Sequence, residues 1–470
     1  RSVDLVDPLS LFVEGGGHLP LSEVRRRVVD RIASVLPEMQ ASAASDNTLP
    51  DRRWYWFTLI LLDRQRHPEM REWCQQHWTS ARRGDEGDVP GGFWRHVEHW
   101  LAVWDGADLG LGRAPEDLLD VLANIALAGP AVCAFRALRR VADAPDASLR
   151  AAVHIAEGLR SQFNAPEAIA VVEQADDEDA YWKQVLDYSC NGNLQAMLDE
   201  YIHLQFEAEA DGSDSDAKAI GRVAESLFAA MSIRASQLRP DYLQVGDGRV
   251  EFDPEPLSLR CRYAVRYGQA VDEQGAIARK EVVRAAFNSP FRPFVLASTS
   301  VGQEGLDFHS WCHSIVHWNL PGNPVDLEQR EGRVNRYKGH AIRRNVAKAA
   351  ERSFHANGDP WECMFDAVQA SRSVGVSDLV PYWIYEIPGG AKVERRVFSL
   401  PFSKDESRLR RLKAGLALYR MVFGQPRQDD LLDHLQGQFD EQAAIGLVAR
   451  WQIDLRPDSF STDDGGANEE

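Results

Sequence analysis

The stretch from Phe294 to Arg336 reads FVLASTSVGQEGLDFHSWCHSIVHWNLPGNPVDLEQREGRVNR, and the fold class turns on it. Phe294–Ala297 is a short, unbroken apolar run after Pro293, which predicts a parallel strand buried on both faces. A Ser/Thr/Gly-rich loop follows, Ser298–Asp307, at the position where an α/β sheet binds its ligand. A second apolar strand is expected over Ser314–Leu320, then the loop Pro321-Gly322-Asn323. Asn323 is placed to cap the next helix, with Pro324 at its first position and Asp326 in its first turn.

That helix carries the charged chemistry. Gln329, Arg333 and Arg336 stand at i, i+4 and i+7, so all three are expected on one face. Gly332 and Gly339 leave room for close backbone approach. Two guanidiniums held on a rigid face beside a sheet's ligand edge suit a polyphosphate. An isolated RxxR would be read as a solvated basic face; the fixed order of loop, strand and capped helix favours the phosphate reading here.

These residues also carry a resemblance. Thr299–Asp307, TSVGQEGLD, resembles motif V of superfamily-2 helicases and translocases: a Thr, a Gly six residues on and an Asp two later. Gln329–Arg336, QREGRVNR, matches the motif VI pattern Q-x-x-G-R-x-x-R. The phrasing EGLDF and HWNLPGNPVDLEQREGRVNR is most similar to the Swi/Snf-related branch, above all bacterial polymerase-recycling ATPases and relatives in genome defence. The resemblance implies a C-terminal RecA-like lobe, a parallel sheet flanked by helices. It implies that Arg333 and Arg336, with Gln329, reach the γ-phosphate of ATP as arginine fingers. Gly305, Asp307 and Gly332 would line the nucleotide, Asp307 near the ribose. Thr299 and Ser300 would contact the nucleic-acid backbone, joined by the basic segment Lys338, Arg343 and Arg344. The two motifs cover about a tenth of the 470 residues.

A motor of that kind also needs a first RecA-like lobe, with a GxxxxGK(S/T) loop around the phosphates and a strand ending in DExx to hold Mg²⁺. Gly15-Gly16-Gly17-His18 has no following Lys, and Asp85-Glu86-Gly87-Asp88 lies in a polar stretch. ATP and Mg²⁺ are therefore expected to be completed by an N-terminal lobe supplied in cis or in trans. The sequence opens on Arg1 rather than Met, which suggests a fragment, a processed product or a trimmed chain. A chain of this length holds two or three domains. The expected division is a helical domain over 1–245, the α/β lobe over 246–425 with a helical insertion near 341–375, and an extension over 426–470.

Charge is uneven. The net charge is −18, yet Arg279–Arg352 holds twelve Lys/Arg against seven Asp/Glu. A locally basic site suits phosphate, while global acidity argues against a broad basic groove. The six cysteines (Cys74, Cys133, Cys190, Cys261, Cys312, Cys363) show no CxxC pairing and read as reduced thiols of a cytoplasmic protein. Trp54–Leu62 is too short to span a bilayer, and no signal peptide is visible; no membrane partner is expected.

From Arg1 to about Pro240 the pattern is helical, with segments at Leu21–Leu36 (Ser22 as cap), Arg52–Asp63, Pro90–Trp104, Pro115–Ala126, Ala131–Ala142, Leu149–Phe163, Asp179–Ala210 and Ser215–Gln237. The tryptophans of the first hundred residues read as core packing rather than base-stacking platforms. Strand patterns begin near Arg249, at Val250–Phe252 and Leu257–Tyr267; the lobe's expected first strand motif is not located, Tyr242–Val245 being the one nearby candidate. Beyond them, helices are expected at Ala278–Phe287, Ala341–Phe354 and Trp361–Ser371. Val380–Ile387 and Glu394–Leu400 read as a hairpin through Pro388-Gly389-Gly390, and Asp405–Phe423 as a basic amphipathic helix. The tail from Pro457 is expected to be disordered. His309, Cys312, His313 and His317 invite a zinc reading, but their spacing matches no standard ligand pair, and no metal is expected. The sequence thus points to half of a nucleic-acid motor, acting on double-stranded DNA by resemblance and inactive alone. The alternatives are a non-catalytic scaffold whose helical domain binds protein partners, or a subunit donating arginines in trans.

Overall fold

Small residues at helical spacing build the first half of the molecule. In the computed structural model the described residues are 7–17, 19–36, 50–78, 92–107, 111–173, 180–210, 215–233, 236–238, 243–246, 249–252, 259–261, 281–298, 307–350, 358–373, 377–398, 401–423 and 437–440, with 353, 355, 442, 443, 446, 447 and 450. Two compact units divide them: residues 1–294 with 352–363, and residues 295–351 with 364–470. The expected boundary near 245 falls among short strands with undescribed residues on either side.

The described part of residues 8–231 is helical. The order is α1 (Pro8–Glu14), α2 (Leu21–Val35), α3 (Trp54–Arg66), α4 (Met70–Trp78), α5 (Gly92–Trp104) and α6 (Leu118–Ala128). There follow α7 (Pro130–Val141), α8 (Pro145–Phe163), α9 (Pro166–Val172), α10 (Tyr181–Asn191), α11 (Leu194–Glu209) and α12 (Asp216–Met231). Along α8 the buried residues Ala147, Ser148, Ala151, Ala152, Ile155, Gly158 and Leu159 form one stripe, so α7 and α12 pack closely on it. A Cβ at Gly158 would stand 2.6 Å from Met231 Cε. At the other end of this bundle Arg140 is clamped between Asp7, at 2.6 Å, and Asp199.

Several expectations change here. Ser22 lies inside α2, whose cap is Pro20 with no side-chain bond. The single helix expected over Asp179–Ala210 breaks at Gly192-Asn193, where Asn193 takes φ +52° and accepts from Ala196 N at 3.2 Å. Asn tolerates that left-handed turn and then caps α11. The apolar run Leu118–Val141 has the length and composition to cross a bilayer. It is split at Gly129-Pro130 into α6 and α7, and most of its most apolar window is buried against other helices. Trp54, Trp73 and Trp104 are buried in apolar clusters, with Trp56 and Trp100 packed beside them.

Four short strands form two antiparallel pairs: β1 (Ser236–Leu238) with β4 (Leu259–Cys261), and β2 (Leu243–Gly246) with β3 (Arg249–Phe252). Helix α13 (281–287) follows. In the second unit β5 (Ser314–His317) and β6 (Glu394–Val397) pair in parallel, with Ser314 opposite Glu394. Between and after them lie α14 (Pro324–Gly332), α15 (His340–Ala349), α16 (Pro360–Ala370), whose residues 360–363 fall in the first unit, and α17 (Asp405–Phe423). The described structure is mostly helical, with this one small parallel sheet.

Two strand expectations fail. Phe294 and Val295 are 74% and 84% exposed, outside any strand. An apolar run becomes a strand only with a ladder partner, and the described parallel ladder joins β5 to β6 alone. The hairpin over Val380–Leu400 is absent too. Val380–Ile387 is turn and irregular chain, and β6 crosses to β5 instead. Its backbone groups are taken elsewhere: Tyr382 O accepts from Lys338 N at 2.7 Å, and Tyr385 O from Asn345 Nδ2 at 2.7 Å. The tail from Pro457 lies outside the described residues.

Candidate functional site

Asn323 opens α14 as expected, its Oδ1 accepting from Asp326 N at 2.8 Å with Pro324 at the first position. Leu327 is fully buried against Leu320, Leu412 and Leu416, which fixes α14 to α17. The helix ends earlier than its motif suggests. Gly332 is its last residue, Arg333 is the cap, and the Glu331 carbonyl accepts from both Val334 N (3.0 Å) and Asn335 N (3.1 Å). Gln329 is therefore on an exposed helical face, while Arg333 and Arg336 stand on the turn beyond it. The single helical face expected for all three is replaced by a helix end and a turn. Gly332 is not crowded, since a Cβ there would meet only Arg336 Nη1 at 3.7 Å; at Gly339 it would meet Arg336 O at 3.1 Å.

That turn meets the end of the Ser/Thr/Gly-rich loop. Arg336 Nε donates to Asp307 Oδ1 at 3.0 Å, Phe308 N donates to Arg333 O at 2.9 Å, and His340 N donates to His309 O at 2.9 Å. Three links within a few residues align the two segments that the sequence singled out. Thr299, Ser300 and Gly305 lie outside the described residues.

The three expected phosphate-contacting cations part company. Arg343 is 0% exposed, donating to the carbonyls of Lys338 (2.7 Å) and Ser310, with its guanidinium 5.3 Å from the Trp311 ring centre. Lys338 is 4% exposed, its ammonium 4.5 Å from the Phe365 ring centre and within reach of the Tyr337 and Tyr382 rings. Arg343 is committed to carbonyls and an aromatic face, and Lys338 to aromatic faces, inside the unit, so both cations are buried rather than displayed at the surface. Arg344 is exposed on α15 and stays available.

A further cluster was not foreseen. Glu331, inside motif VI, is 5% exposed and takes a forked pair of bonds from Arg395 of β6, at 2.5 and 2.8 Å. His317 of β5 sets Nε2 3.4 Å from Glu331 Oε1. Burial opposes ionisation of this carboxyl, but the bonds and charges of Arg395 and His317 outweigh it and hold its pKa down at about 2. No sequence signal joins Arg395 to a residue 64 positions earlier.

The His/Cys group disperses. His313 Nδ1 and His340 Nδ1 are 3.0 Å apart, one donating to the other. Burial, then neighbouring cationic charge, lowers His313 and takes His340 down to about 3, so the pair is neutral. Cys312 Sγ donates to Ser314 O at 3.4 Å, and His317 belongs to the Glu331 cluster. Among the described residues no group of three His, Cys, Asp or Glu converges as a metal site.

With that geometry in place, the comparison with known families is specific. Residues 264–338 match the helicase conserved C-terminal domain. The match takes in both the Thr299–Asp307 and Gln329–Arg336 segments, so this part of the chain is similar to a helicase C-terminal region. No curated protein and no solved structure matches the chain.

Proposed function

We propose that this chain supplies the second RecA-like lobe of an ATP-dependent nucleic-acid translocase of the Swi/Snf-related kind, with double-stranded DNA as its track. The observation that carries the reading is the contact of Arg336 with Asp307, inside the helicase match and at the junction of its two motifs. Arg333 and Arg336 stand on a turn that is only partly covered, where guanidiniums can meet a phosphate presented from outside. In such motors ATP lies between two lobes, and closure brings the arginines onto the γ-phosphate as negative charge develops there. The phosphate loop and the carboxylates for Mg²⁺ would come from the other lobe, in cis or in trans. That lobe's carboxylates would hold Mg²⁺, which would supply positive charge for the polyphosphate, while Arg333 and Arg336 of this chain would orient and neutralise the γ-phosphoryl oxygens.

The experiment is steady-state ATPase with saturating duplex DNA. The 470-residue chain alone should turn over negligibly. In the assembled motor, this chain with its Walker-bearing lobe, Arg336→Ala should lower kcat by about 10³ or more. DNA affinity should stay within about twofold. Arg336→Lys should not restore turnover, because an ammonium cannot reproduce the planar fork. Unchanged kcat in the Arg333 and Arg336 variants would end this reading.

A further inference from the structure

We infer that Arg395, with its partner Glu331, is a positioning residue that sets the orientation of the Arg333–Arg336 turn. The functional half of this inference rests on the translocase reading above; the structural half does not.

Glu331 does two jobs at once. Its carbonyl receives Val334 N and Asn335 N, the two bonds that bend the chain out of α14 into the turn. Its carboxylate is held in the fork of Arg395 and lies beside His317. The residue whose backbone makes the turn is thus bolted by its side chain to β6, with β5 close beside the same carboxylate. β6 contributes Arg395 and β5 contributes His317. A planar fork fixes direction as well as distance, so rotation of the last turn of α14 is blocked. Arg333 and Arg336, two and five residues on, inherit that orientation. Reacting groups displaced by about 1 Å can lose roughly 10²-fold in rate, so a loosened anchor should be read in kcat before it is read in folding.

Arg395→Lys keeps a positive charge beside the buried carboxylate and removes the fork; Arg395→Gln removes the charge as well. The first readout is hydrogen exchange of the 331–338 peptide in the full chain. In Arg395→Lys the amides of Val334 and Asn335 should exchange at least tenfold faster, with peptides from α8 and α12 unchanged. The second is duplex-stimulated ATPase of the assembled motor. Arg395→Lys should lower kcat by roughly 10- to 100-fold, with KM for ATP within about twofold. The exchanged pair Glu331→Arg with Arg395→Glu should recover part of that loss. Unchanged exchange at 331–338 in both single variants overturns the inference, as does faster exchange spread evenly over the whole chain. An active wild-type motor whose Arg395 variants keep full kcat overturns it too. An inactive wild-type motor would instead count against the translocase reading, with the exchange result still deciding the anchor.

Discussion

Arg336 Nε donates to Asp307 Oδ1 at 3.0 Å, and 29 positions of chain separate the two. Both side chains are over 40% exposed, so the bond is screened and reversible. A contact of this kind sets geometry at a junction without being a main support of the fold. Asp307→Asn should accordingly change unfolding free energy by less than about 1 kcal/mol, as read by equilibrium urea denaturation. A larger loss would make the pair a structural bolt.

Arg343 and Arg344 are neighbours with opposite fates. Arg343→Ala would leave two carbonyls and the Trp311 face without their cation, and should cost about 3–5 kcal/mol or prevent folding of the second unit. Arg344→Ala should leave stability within about 0.5 kcal/mol. If Arg344 meets a phosphate, its loss should reduce the slope of log affinity against log salt by about 1. Anisotropy of a labelled duplex over a salt series, beside thermal melts of both variants, checks the contrast.

The Glu331 carboxyl makes stability pH-dependent in a definite direction. Its pKa is about 2 in the folded chain against an ordinary 4.5, so the unfolded state binds the proton first as pH falls. The contribution is complete above about 4.5 and is lost as pH drops toward 2. Its size is about 3 kcal/mol by linkage, an order-of-magnitude figure. Urea midpoints at stepped pH should fall more steeply in wild type than in Glu331→Gln across that window. Parallel curves would deny Glu331 this role.

Asn345 holds the chain that replaces the expected hairpin. It donates to Tyr385 O (2.7 Å) and Ala391 O (2.9 Å) and accepts from Ala391 N (2.7 Å). Asn345→Ala should cost about 2–4 kcal/mol, since three partly buried backbone groups lose their partner. Gly390→Ala should be harmful as well, because a Cβ there would meet Asn345 Oδ1 at 2.5 Å and Ile387 O at 2.9 Å. Melting temperatures of the two variants, compared with Gly322→Ala where a Cβ meets nothing, test the clamp.

What could be read from sequence was what is local. Apolar spacing located α2, α7 and α8 within a few residues but ran past the end of α12 at Met231 into β1, and Asn323-Pro324 marked the start of α14 because capping is a short-range event. Strand pairing is decided at long range, so Pro388-Gly389-Gly390 looked like a hairpin turn although β6 finds its partner 80 residues upstream. Charge counting put Lys338, Arg343 and Arg344 together. Phe365 and Tyr382 of later segments enclose the first, Ser310 and Trp311 hold the second, and only the third is left at the surface. The motif VI pattern survives as a sequence while its helix stops at Gly332, because the doubly used Glu331 carbonyl ends it there.

Residues 352–363 belong to the first unit, although the chain on either side of them belongs to the second. Within that excursion Asp359 Oδ2 lies 2.5 Å from His203 Nδ1 of α11, a buried contact across 156 positions of sequence. Vectorial synthesis therefore cannot finish the first unit before starting the second. The ribosome releases the Glu331 turn and α15 while the helical unit still waits for Asp359. A domain that ordinarily folds as it emerges is here completed late, so its maturation depends on how well the intervening segment behaves in the meantime.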